Sequence, residues 1–134
     1  MRNKYNYFFL RLPIALSLLG HGLVRLPKLQ AFSNLMVTSM QKSYLPQPLI
    51  LIFSYAVPFA EVITGALLLL GIYTRYALYA GLTLMAFFIF GSTTIENWEA
   101  ITSQLVHAAY LAGLLLLTQY HPSFSESSLK ENNK

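Results

Sequence analysis

The chain has 134 residues, of which 55% are hydrophobic and 10% charged. A soluble domain carries about 25% charged residues to keep its surface wet, so this composition excludes a water-facing globule and suits a surface that meets lipid. The formal charge of +4 shows no clustered Lys/Arg with interleaved aromatics, which argues against a nucleic-acid partner, and the absence of cysteine excludes disulfides, thiolate redox centres and zinc–thiolate sites within the chain.

The N-terminal Met1-Arg-Asn-Lys4 is basic, and an apolar stretch follows from about Tyr5 to Val24. It superficially resembles a signal peptide. However, Arg11 interrupts the apolar region and no small-x-small cleavage site follows, so it reads as a first membrane span over residues 5–24. Pro13 falls early enough in that span to be tolerated. Residues Arg25 to Pro48 are more polar. Within them Leu29, Phe32, Met36 and Met40 recur at three- and four-residue spacing, which makes one apolar stripe on a short amphipathic helix that lies on the bilayer or caps the bundle.

Leu49 to Gly71 is the strongest span, and the turn Gly71-Ile-Tyr-Thr-Arg75 is so short that the next helix, over residues 75–91, must run antiparallel beside it. Ser92 to Thr102 reads as a polar loop holding Glu96, Trp98 and Glu99. Trp98 suits a head-group interface. A fourth span covers residues 101–120, and the polar tail 121–134, rich in Ser with mixed charge, reads as solvated and disordered. The fold class expected is therefore an all-α membrane protein. It is a four-helix antiparallel transmembrane bundle with an amphipathic helix between spans one and two. Both termini share one side, which carries Arg2, Lys4, Arg75, Lys130 and Lys134 against Arg25, Lys28 and Lys42 opposite. That balance places the termini in the cytoplasm and the protein in the cytoplasmic (inner) membrane.

Ionisable groups inside spans are costly and face the bundle interior. Here they are Arg11, His21, Glu61 and His107, with Gln104 one turn from His107. Ser54, Pro58, Glu61 and Gly65 share one face of the second span, a small and polar stripe suited to close helix contact. If all spans start at one level, a rise of ~1.5 Å per residue puts Glu61 at ~15 Å, His107 at ~15–20 Å, His21 at ~21 Å and Arg11 at ~6–9 Å. Glu61 is then expected to pair with His107, His21 or Arg11. Such a cluster can relay protons, meet a quinone carbonyl, or simply fix helix register. Two histidines on different helices also suit haem, but a small bundle filled by large residues argues against it, and no metal site is expected. No phosphate loop, His-Glu-x-x-His run or nucleophile elbow is present. The chain is too short for a transporter of inverted repeats unless it oligomerises.

Several segments resemble the DoxX-like family of four-span membrane proteins. One is Arg11 followed by Gly20-His-Gly-Leu-Val-Arg-Leu-Pro-Lys28. The other is Pro58-Phe-Ala-Glu61-Val-Ile-Thr-Gly65, then Leu67-Leu-Leu-Leu-Gly71 and Thr74-Arg75. The resemblance spans roughly residues 8–118 and identifies Glu61, Gly65, Gly71 and Arg75 as its motif positions. The small size, the lipid-facing exterior without a self-sufficient catalytic set, and the apolar bundle with a polar midplane leave two roles open. One is a non-catalytic accessory subunit that stabilises a larger membrane complex, with another membrane protein or a second copy as partner. The other is a quinone-linked redox subunit in which Glu61 and His107 handle protons. No cofactor is assigned by the residues; a quinone is the one the apolar bundle would suit.

Overall fold

The computed structural model describes residues 4–120. Its helices are α1 (Lys4–Arg25), α2 (Leu29–Ser39), α3 (Gln47–Leu70), α4 (Thr74–Thr94) and α5 (Trp98–Tyr120), with a short 3-10 turn at Leu26–Lys28 between the first two. Four stretches are long and apolar enough to cross a membrane, the first joining α1 and α2 through that turn. Helices suit such a chain because lipid offers no partner to backbone N–H and C=O groups, so each must be satisfied within its own segment. The tail expected over 121–134 lies outside the described residues.

The bundle is an up-and-down arrangement. α1 packs along α3, α3 on α4 and α4 on α5. The α1–α3 contact is close because glycines lie in it: a Cβ on Gly65 would strike the Leu19 backbone, and one on Gly22 would sit 2.7 Å from the Pro58 carbonyl oxygen. Ser54, Pro58, Glu61 and Gly65 are all buried, as the stripe on the second span suggests. The core runs through Ile14, Leu18, Val57, Leu68, Leu78 and Leu111.

The Gly71 turn is as short as the sequence indicates. Gly71 takes a left-handed conformation at φ 72° and its N–H donates to the Leu67 carbonyl, closing α3; Tyr73, at φ 49°, precedes α4. At the other end of α4 the expected loop 92–102 shrinks to Ile95–Asn97. The polar residues there are accommodated inside helices. Thr93 and Thr94 hydroxyls donate to the Ile89 and Gly91 carbonyls, and the Asn97 side chain accepts from the Ala100 N–H, which starts α5.

α2 differs from the expectation of a helix lying on the bilayer. It continues along α3 beyond the 3-10 turn. Buried Ser33 and Ser54 hydroxyls meet at 2.7 Å, and the Tyr55 hydroxyl donates to Gln30 Oε1 at 2.9 Å. Pro27 removes one helix donor within the 3-10 turn, and helix resumes at Leu29. Arg25 and Lys28 therefore stand within a continuous two-helix rod rather than on a loop.

Candidate functional site

The register of α1 against α3 decides which charges meet. Gly65 lies against Leu19, and Gly22 against Pro58 and Val62. Followed at ~1.5 Å per residue, that contact sets Gly71 level with about Pro13 and Glu61 level with about Leu23. The first turns of α1 therefore run past the α3–α4 turn, and spans taken to start level misplace Glu61 by about two turns. The partner of Glu61 is Arg25, not Arg11. Arg25 Nη1 donates to both carboxylate oxygens, at 2.6 and 2.7 Å. The Glu61 side chain is 4% exposed and that of Arg25 28%. The Arg25 guanidinium also lies over the Phe32 ring of α2, with Cζ 4.6 Å from its centroid, a cation–π contact that holds its position. Sequence reasoning missed Arg25 because it sits beside Pro27 and reads as an exit charge.

Arg11 is at the opposite end of the bundle. Its guanidinium lies against Gly71, where a Cβ would collide with it. Its Cζ is 5.6 Å and 5.5 Å from the Tyr7 and Phe8 ring centroids. A cation beside the C-terminus of α3 is favourably placed. Arg75, in the first turn of α4, belongs to the same end.

His21 and His107 do come together. Their ring centroids are 6.2 Å apart in an edge-on arrangement. Each Nδ1 points at the carbonyl four residues earlier, His21 to Ser17 at 2.7 Å and His107 to Ser103 at 2.9 Å. A carbonyl oxygen only accepts, so Nδ1 carries the proton in both, and in a neutral ring Nε2 is the acceptor. For His107 that acceptor is filled by the Ser17 hydroxyl at 3.0 Å. Gln104 Nε2 donates to the Ser92 hydroxyl at 2.9 Å, while its Oε1 is buried without a partner.

Arg25, Glu61, His21, His107 and Gln104 all line one cavity of about 620 Å³. It lies between α2 and the facing ends of the spanning helices. Its walls include Phe32, Phe53, Phe87, Phe88, Met36 and Met85. The expectation that large side chains fill the interior fails in this half of the bundle, because α2 holds the rod against α3 while α1 and α5 are joined here only through the Ser17–His107 bond among the described hydrogen bonds. Phe32, Met36 and Met40 of the α2 stripe face this space, so the stripe caps the bundle. Among the described residues no group of three or more His, Asp or Glu side chains is placed to surround a metal ion. The volume falls in the range of ligand pockets, about 300–1,000 Å³. The arrangement can receive an apolar body and offer a few fixed polar groups to one end of it.

The motif positions divide between the two halves. Glu61 and Gly65 sit at the cavity floor and the α1–α3 contact; Gly71 and Arg75 sit at the far turn. No match was found among curated proteins or among solved structures. A family model does match, over residues 4–104, and its description is "Methylamine utilisation protein MauE". That finding refines the DoxX-like resemblance: the match is to MauE, a family of the DoxX-like clan, and not to DoxX itself. The match covers about three quarters of the chain and takes in α1 to α4, the Arg25–Glu61 pair and the turn at Gly71, so the chain belongs to the MauE family of membrane proteins.

Proposed function

We propose that this protein is a non-catalytic accessory component of methylamine utilisation, which stabilises a larger complex in the cytoplasmic membrane, with both termini cytoplasmic. The observation that carries this reading is the saturation of Glu61 and His107 within the bundle. Both Glu61 oxygens are taken by Arg25, and both His107 ring nitrogens are bonded within the bundle. Groups saturated in this way fix helix register and hold a cavity open; they are poorly placed to exchange protons with a substrate. The exterior supports the reading too, since Phe9, Leu23, Ile52, Ile63, Phe87 and Leu116 stand exposed for lipid or a neighbouring subunit. The family's description supplies the pathway. The test is co-purification in mild detergent at native expression, from cells growing on methylamine. A stoichiometric larger partner is expected. Recovery of the protein alone, under conditions that keep other membrane complexes intact, overturns the proposal.

The cavity favours a second reading, a quinone-linked subunit. An apolar-walled space lined at one side by His21 and Gln104 suits a ring bearing polar groups. In that case His21 is better placed than His107 to exchange a proton. Membranes lacking the protein would then reduce quinone more slowly with methylamine as donor; unchanged rates remove this reading.

A further inference from the structure

Two guanidinium groups are left over by the site above. Arg11 and Arg75 each have a buried Nε without a hydrogen-bond partner. Both residues remain partly exposed, although each Nε is buried. Among the described residues the ion pair is Arg25–Glu61, and the other described carboxylates, Glu96 and Glu99, lie at the opposite end of the bundle. Tyr7, Phe8 and Gly71 hold the Arg11 guanidinium in place but give it ring faces and a backbone, with no anionic oxygen. The C-terminus of α3 contributes roughly half a unit of negative charge. Two full positive charges at a lipid boundary call for more than that.

We propose that Arg11 and Arg75 form a binding site for a phosphate monoanion, supplied by the head group of an anionic glycerophospholipid at the end of the bundle marked by the Gly71 turn. A guanidinium tip offers two parallel N–H donors matched to two phosphate oxygens, and such charge-assisted forks are among the strong hydrogen bonds. The turn is rimmed by exposed Leu70, Ile72, Tyr73 and Tyr76. Aliphatic chains there contact acyl chains, and tyrosines sit at head-group level. Gly71 completes the site sterically, since a side chain on it would displace the Arg11 guanidinium.

The test is native mass spectrometry of the full chain in mild detergent, titrated with phosphatidylglycerol, phosphatidylcholine or inorganic phosphate. Phosphatidylglycerol is expected to be retained over phosphatidylcholine. R11Q and R75Q should each weaken that retention about tenfold, the loss of one charge-assisted contact. K42Q, at the other end, should leave it unchanged, and R11K should retain only part of it, since Lys keeps the charge without the fork. If R11Q does not fold, R75Q and R11K carry the test. Equal retention of the two lipids, or retention undiminished in R75Q and R11K, overturns the site. Displacement of phosphatidylglycerol by equimolar inorganic phosphate overturns the lipid as its source. The two remaining acidic side chains of the sequence, Glu126 and Glu131, supply a last control: lipid retention should be unchanged in E126Q/E131Q, and a tenfold rise there would make the chain its own occupant and end the proposal.

Discussion

The two ends of the bundle solve the same problem differently. At the end marked by the Gly71 turn, α1 and α5 are tied directly: the Tyr7 hydroxyl donates to the Leu114 carbonyl at 3.3 Å and the Tyr110 hydroxyl to the Leu10 carbonyl at 2.6 Å. Large side chains close that half, with Tyr7, Leu78 and Leu111 almost wholly buried. At the α2 end the helices line a half-open cavity of about 620 Å³, and the contact across its floor is an ion pair. One half is held by packing and the other by charge. In the second half, a single substitution removes the main tie and leaves its partner's charge unpaired.

The largest expected effect follows from that difference. Glu61→Ala should cost ~3–5 kcal/mol, because Arg25 is left unpaired at the cavity floor, whereas Glu96→Ala, at an exposed turn, should stay within ~0.5 kcal/mol. Thermal unfolding in a fixed detergent compares the two. The double variant Arg25→Met, Glu61→Leu should regain most of the loss, since removing both charges removes the desolvation cost. A double variant as unstable as Glu61→Ala would mean that the pair does more than satisfy itself, and would break the contrast between the halves.

Next comes the α1–α3 contact that sets the register for both ends. Gly65→Val should cost about 1–3 kcal/mol by overpacking, because any Cβ there strikes the Leu19 backbone, which cannot rotate away. Gly22→Ala should fall in the same range, against the Pro58 carbonyl and Val62. At the closed end, Tyr110→Phe removes one hydrogen bond and should cost about 1 kcal/mol. If Tyr110→Phe proves as damaging as Glu61→Ala, the closed end is not held by packing as described.

How much of this was legible in the sequence follows from the range over which each feature is set. The spans, the short Gly71 turn and the buried face of Ser54, Pro58, Glu61 and Gly65 depend on periodicity within one segment, and they were readable. The continuation of α2 along α3 was not, because Pro27, Arg25 and Lys28 look like an exit from the membrane. That one misreading also hid the partner of Glu61. The loop at 92–102 was overestimated because polarity stood in for breaks: Thr93 and Thr94 satisfy their hydroxyls on their own helix. The cavity had no local signal at all. It depends on how far α1 and α5 stand apart above their hydrogen bonds, a property of helix crossing rather than of any one segment.

The smallest expected effect sharpens the comparison most, because it isolates position from residue type. Gly20 and Gly22 flank His21 on the same helix. A Cβ on Gly20 meets nothing within 4 Å, while one on Gly22 meets α3. Two residues apart on a helix, they point about 200° apart, so only one of them faces α3. Gly20→Ala should therefore be tolerated. In water an Ala in mid-helix gains up to ~0.5–1 kcal/mol over Gly. In lipid the helix stays hydrogen-bonded even when the bundle comes apart, so the gain cancels in large part and the net change should be near zero. Paired melting curves of the two variants read the difference directly. Gly22→Ala alone should lose stability. Equal losses would mean that both glycines are needed for the flexibility of α1 around His21, and the register argument built on Gly22 and Gly65 would fail with them.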